Sequence, residues 1–234
     1  MEDILHQLYD TTRRTIPPPH QLVCGAKYYA VLNTLGNVGV CANLESPSSV
    51  SIEELNQPDF SNYYHRVAVN AWINAHVNYQ NAYAEEIDIF NKIPFHSYKS
   101  IVMVGYFESL IHKFRSAEIP ISIFDLKSNS DQVLPIEQHE ATIKKADIII
   151  ATSTSLANNT LSQIIKWKRN DCKFMMLGPS TPLSEELAIA INADYLFGSI
   201  FDQNPKSVLD LIKNGGDTKT FLPFMKKVYL APIK

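Results

Sequence analysis

The chain has 234 residues, 45% of them hydrophobic and 19% charged, with a formal net charge of −3. That is long enough for one large or two small domains and apolar enough for a real core, which excludes a disordered chain. The faint acidity leaves no basic footprint for nucleic acid, and no run of about 18 apolar residues would span a membrane.

The first residues, MEDILHQLYDTTRR, are amphipathic with two early acids, unlike a secretory signal. Ile4, Leu5, Leu8 and Tyr9 predict a helix that ends at Ile16-Pro17-Pro18-Pro19. LVCGAKYYAVLNTLGNVGVCANL follows as two β-rich runs around Leu35-Gly36-Asn37, which predicts a hairpin. Glu45 to Pro58 reads as a loop with one helical turn. Asn62 to Gln80 predicts a long helix, with Tyr64, Ala68, Ala71, Ala75 and Tyr79 at helical spacing and small alanines that allow close approach. Its polar side is rich in asparagine and carries His65 and His76, about 16 Å apart along the axis and so unable to chelate one ion together.

Phe90 to Lys99 reads as a linker, which predicts a first domain over residues 1–93 and a second over 94–234. From Ser100 onward strands and helices alternate. Strands are expected at Ile101–Val104, Ile121–Phe124, Asp147–Ala151, Cys172–Leu177 and Tyr195–Phe197. Helices are expected around Leu110–Phe114, Glu137–Lys145, Leu161–Lys168, Leu183–Ile191 and Pro205–Lys213, with Lys227–Leu230 a further edge strand. Thr181 is the expected cap of the Leu183 helix, with Pro182 in its first turn. The basic run Lys166-Trp167-Lys168-Arg169 sits at a helix end, where the helix dipole favours cations. The fold class is α/β: an α+β domain, then an open parallel sheet of about five strands.

In such a sheet ligands bind at the carboxyl ends of the strands. Those ends carry Gly105 and Tyr106, Asp125, Thr152, Ser153 and Thr154 with Asn158, and Gly178, Pro179, Ser180 and Thr181. Strand-to-helix turns need small polar residues in any case; the density of hydroxyls and amides in two neighbouring turns is what points to a ligand. The turns after Thr152 and Gly178 are expected to face each other across one pocket.

Several chemistries lack their motif. Asp125 lies 20 residues after Gly105, where a dinucleotide fold puts the acid that meets the ribose, yet Val104-Gly105-Tyr106-Phe107-Glu108 has no G-x-G-x-x-G. No phosphate-binding P-loop occurs, and Gly178-Pro179-Ser180-Thr181-Pro182 is no serine-hydrolase elbow. No histidine or cysteine pair has metal-helix spacing. Cys24, Cys41 and Cys172 form no CxxC and no even set, which suits reduced structural thiols and a cytoplasmic protein. In the expected hairpin Cys24 and Cys41 stand roughly 20 Å apart at strand rise.

Val104-Gly105-Tyr106-Phe107, Phe124-Asp125, Ala146-Asp147, Thr152 through Leu161 and Leu177-Gly178-Pro179-Ser180-Thr181-Pro182-Leu183 together resemble the putative heavy-metal chelation family. Gly198 and Asn214-Gly215-Gly216 fit as well, as do Val23-Cys24-Gly25 through Val40 and the Ala68–Ala75 helix in the earlier half. Ser153 departs from the glycine usual there. The resemblance implies an enolase-N-terminal-like domain followed by a Rossmann-like domain, a cleft between them, and a role in binding or handling heavy metals.

Two functions follow as expectations. The first is a ligand-binding protein that closes its domains over a small anionic or metal-bearing ligand, with a heavy-metal ion or metal complex as the candidate cofactor. The second is an enzyme using a nucleoside cofactor such as S-adenosylmethionine, with Asp125 on the ribose. Neither nucleic acid nor membrane is an expected partner, and the oligomeric state, homo-oligomer included, stays open.

Overall fold

The computed structural model describes residues 3–81, 83, 88–201 and 204–232. Helix α1 (Ile4–Thr12) is opened by Asp3, whose carboxylate accepts from the Leu5 N–H at 3.0 Å. Ile4, Leu5, Leu8 and Tyr9 share its buried face. The next stretch is a three-strand antiparallel meander, β1 (Pro19–Cys24), β2 (Tyr28–Asn33) and β3 (Val38–Ala42), in place of the expected two-strand hairpin. Gly25 makes the extra turn, its N–H bonding the Tyr28 carbonyl at 3.0 Å. Cys24 and Cys41 both pair across from Tyr29, so two strand spacings, about 10 Å, separate them rather than 20 Å.

Helix α2 (Tyr63–Val77) lies directly on this sheet. Contact is closest at Gly39, where a Cβ would fall within the α2 backbone at the Ala71 carbonyl and the Ala75 nitrogen. The alanines of α2 thus serve the close approach their size allows. Its asparagines are not a solvated face: Asn70, Asn74 and Asn78 are all buried. The expected linker is ordered too, as α3 (Ile89–Lys92) and a 3-10 turn over Phe95–Ser97, with Ile89, Ile93 and Phe95 packed in one cluster with Phe114.

The second sheet uses β4 (Ile101–Val104), β5 (Ser122–Phe124), β6 (Ile148–Thr152), β7 (Lys173–Leu177), β8 (Tyr195–Ile200) and β9 (Lys226–Leu230). Among the described residues its order is β5-β4-β6-β7-β8-β9, parallel except for β9, which runs antiparallel along β8. Crossovers pass through α4 (Glu108–Ser116), α5 (His139–Ile143), the short α6 (Thr154–Ala157) with α7 (Leu161–Trp167), and α8 (Glu185–Ala190); α9 (Pro205–Lys213) and α10 (Thr218–Phe221) lead into β9. Side chains alternate between faces. Ile101, Met103, Ile148 and Ile150 pack with α4, while Val102, Ile149, Phe174 and Leu196 pack with α1, α2, α7 and α8. Burial on both faces explains why these strands read as unbroken apolar runs.

Helix α8 starts later than its sequence suggests. Ser184, not Thr181, caps it, accepting from the Leu187 N–H at 3.3 Å. Residues 178–183 instead run along α2. No helix among the described residues is long and apolar enough to cross a membrane.

Candidate functional site

From β4 the chain steps to β5 on one side, and from β6 it steps to β7 and β8 on the other. Connections therefore leave β4 and β6 toward opposite faces, which opens a crevice at their carboxyl ends. A cavity of about 650 Å³ lies there, on the face that carries α5 and α7. Tyr106, Phe107, Phe124, His139 and Trp167 give it aromatic walls, and Leu44 reaches it from the first half of the chain.

Its polar lining is neutral for the most part. Thr152 and Thr154 hydroxyls lie 3.0 Å apart, and the Thr160 hydroxyl donates to Asn158 Oδ1 at 2.7 Å. That second bond fixes the Asn158 amide and leaves its Nδ2 group available to a ligand. Charge enters at the mouth, where Lys127 Nζ meets Glu45 of the first half at 3.4 Å, both side chains more than half exposed.

Asp125 holds its own turn together. Its carboxylate accepts from the backbone N–H groups of Tyr106 at 2.9 Å, Lys127 at 2.8 Å and Ser128 at 2.6 Å. His139 packs against Phe124 with the rings tilted and their centroids 4.6 Å apart, and meets Trp167 edge-on at 5.4 Å. Its Nε2 is buried without a hydrogen-bond partner among the described residues. Burial holds this imidazole below its ordinary pKa, so it is neutral at pH 7.

Of the residues picked out by sequence, Gly105, Tyr106, Asp125, Thr152, Thr154 and Asn158 line this cavity. Gly178 and Pro179 line a second cavity, also about 650 Å³, on the far side of Tyr106 and Phe107. Ser153, Ser180 and Thr181 are buried and line neither. The single shared pocket gives way to two cavities for a physical reason: the 178–183 segment is turned toward the first half. Ser180 Oγ accepts from the Ala42 N–H at 2.8 Å, and Asn70 Nδ2 donates to the Ser180 carbonyl at 2.9 Å. Asn78 donates to the Thr181 and Ser199 carbonyls and accepts from the Leu183 N–H. Gly178, at φ +135°, leaves no room for a Cβ, which would lie 2.7 Å from Ser153 Oγ. Serine at position 153 is accommodated by glycine at 178.

Sequence reasoning missed Trp167, His139, Phe124, Lys127 and Leu44. Trp167 falls three residues after Ile164, which also lines the cavity, so helical spacing carried a usable signal there. Phe124 and Lys127 flank Asp125 at the end of β5, so their neighbourhood was marked, while His139 and Leu44 come from separate elements and carried none.

A doubly wound α/β sheet with a switch-point cavity, covered on one face by an antiparallel sheet-and-helix unit, defines the class. The chain belongs to the DUF364 family, "Putative heavy-metal chelation", whose family model matches residues 88–231. The fold is that of solved family members. A protein of unknown function from Pyrococcus horikoshii superposes with a TM-score of 0.85 at 19% identity, over 97% of this chain and 99% of that one. Another, from Desulfitobacterium hafniense DCB-2, gives 0.76 at 19% identity, over 97% and 98%. No curated protein matches the chain.

The residues present do not fit a bare heavy-metal ion. Soft cations want thiolate or imidazole, and no group of three or more His, Cys, Asp or Glu among the described residues could hold one. Burial pushes the Cys41 and Cys172 thiols up to about 11, which keeps them protonated at neutral pH.

Proposed function

We propose that this protein binds a small, flat ligand bearing hydrogen-bonding or anionic groups in the cavity at the β4–β6 switch point. A metal reaches it as a complex or an oxyanion. The observation that carries this reading is the lining itself: aromatic walls with hydroxyl and amide donors, in a cavity of about 650 Å³, within the usual range for small-molecule sites. Neutral donors suit an anion or a polar rim, and the rings suit a flat body. Three free cysteines accord with a reducing, cytoplasmic setting.

An enzyme using a nucleoside cofactor is the second reading, and it rests on the place of Asp125 at the end of β5. Three backbone N–H groups already take most of that carboxylate's acceptor capacity, so a ribose would have to compete with them.

The test is calorimetry with three sets of probes: aqua ions of nickel and cadmium, the oxyanions molybdate and arsenate, and flat metal chelates such as copper phenanthroline. An oxyanion or chelate should bind one per chain, about 5- to 100-fold more weakly in the Thr154→Val/Asn158→Leu double variant, which removes two hydrogen-bonding groups. Tight stoichiometric uptake of an aqua ion, unchanged in that variant, would overturn the reading. S-adenosylmethionine binding that vanishes in Asp125→Ala, with the fold intact, would favour the enzyme instead.

A further inference from the structure

The second cavity has a chemistry of its own. It opens beside α4 at the carboxyl ends of β7 and β8, and Tyr106 and Phe107 wall it off from the first. Its interior is hydrocarbon: Ile89, Leu110, Leu177, Phe197 and Val228. The charges that line it are three ammonium groups and two carboxylates. Lys113 pairs with Asp88 at 2.9 Å, and Lys219 with Glu108 at 3.6 Å. Lys227, on β9 beside Ser199, makes no close ion pair among the described residues, and its charge acts on the Asp88 carboxyl from further off. Among the described lining residues positive charge exceeds negative by one, above an apolar chamber.

We infer that this cavity is a second binding site, for a small monocarboxylate with an apolar body. The hydrocarbon interior takes the body, and Lys227 faces the carboxylate at the rim. A phosphate fits less well, because the lining has no arginine fork and a doubly charged, strongly hydrated head gains little from one ammonium group. A divalent cation fits less well still, since both carboxylates are already engaged by lysines. Neutral hydrocarbon would leave that excess of positive charge unanswered. This site needs nothing from the switch-point cavity, and either could hold a ligand alone.

Benzoate and octanoate are the probes, titrated by calorimetry into the full chain, with benzamide as the uncharged control. Saturable one-to-one binding of a carboxylate is expected, stronger for benzoate than for benzamide. Lys227→Glu lies on an exposed strand position and should weaken carboxylate binding about tenfold or more, an effect that shrinks with added salt. Met225→Trp, which adds bulk to the half-buried lining, should abolish it. Asn158→Leu, in the other cavity, should leave it unchanged. The inference is overturned if neither carboxylate binds, if both Lys227→Glu and Met225→Trp bind as the unaltered chain does, or if Asn158→Leu alone removes binding.

Discussion

Two side chains at the switch point have opposite relations to charge. Asp125 is an anion answered by three backbone donors, and removing it leaves those N–H groups without their acceptor. Hydrogen bonds to a charged group contribute about 1.5–3 kcal/mol, so Asp125→Ala should destabilise the chain by roughly that amount in urea unfolding. Asp125→Asn should cost less, because its carbonyl oxygen keeps part of the set. His139 is the reverse case, an imidazole whose burial between Phe124 and Trp167 disfavours the cation. Its folded pKa lies below the ordinary value of 6.5, so the unfolded chain binds the extra proton first as pH falls. The stabilising effect of the neutral ring is complete above pH 6.5 and is lost as pH drops from there toward the depressed folded value. His76, also lowered by burial, acts in the same direction. His139→Phe keeps the ring packing and removes the titration. Its melting temperature should fall less between pH 7 and pH 5 than that of the unaltered chain; an identical fall in both would remove His139 from the acid response.

At the scale of elements, α2 is held from two sides. On one side Gly39 admits it against β3 with no space for a methyl group. Gly39→Ala must therefore push helix and strand apart, at about 3 kcal/mol or more, and should show as a large loss of melting temperature or as insoluble protein. Asn74 donates to the Val40 carbonyl on that same β3 side, while Asn70 and Asn78, one turn before and one turn after it along the helix, reach the 178–183 segment. Asn78→Ala strands two carbonyls and one N–H in the interior, and roughly 2–4 kcal/mol should be lost in denaturant titration. Asn78→Asp should be no milder, because a carboxylate there would face the Thr181 and Ser199 carbonyls. This seam is also where sequence reading fell short. Strands such as Ile148–Ala151 were legible because burial on both faces makes them continuously apolar. Asparagines at helical spacing look like a wet face, and only the approach of a second segment with unpaired backbone groups reverses that meaning. Thr181 looked like a helix cap for a similar reason: the Ser-Thr-Pro-Leu pattern permits a cap, but the carbonyls of residues 180 and 181 already had partners on α2. Gly25 was hidden inside a β-rich run, so one strand too few was expected. The cavity walls were the least legible feature, being assembled from α5, α7, β5 and the loop after β3.

For the whole molecule, the question is whether the two sheets mark two units that unfold separately. A division at 93/94 follows the sheets, and we propose to move it to just before Asp88. Ile89 and Ile93 lie in the same buried cluster as Ile101, Leu110 and Phe114, and the family match also begins at 88. Energetically, neither line divides the core. Ile4, Leu5, Val69 and Ile73 of the first part share one apolar cluster with Ile149, Phe174 and Leu187 of the second. Arg66 of α2 is buried at the same junction. It donates to the Leu156 carbonyl at 2.9 Å and to the Ala157 carbonyl at 2.6 Å, while pairing with Asp3 before α1. Stripping either part away would expose that apolar surface and leave a buried guanidinium or its acceptors unanswered, which costs far more than a wet surface pair. The chain carries two tryptophans, Trp72 on α2 and Trp167 on α7, so each part has its own optical probe. In Trp72→Phe the fluorescence reports the parallel sheet, and in Trp167→Phe it reports the antiparallel unit. Each trace should coincide with the far-ultraviolet circular dichroism of the same variant, in urea and on heating, as one cooperative transition requires. Two separated midpoints, with the Trp72 signal lost while the parallel sheet stays folded, would show that the shared cluster does not couple the parts.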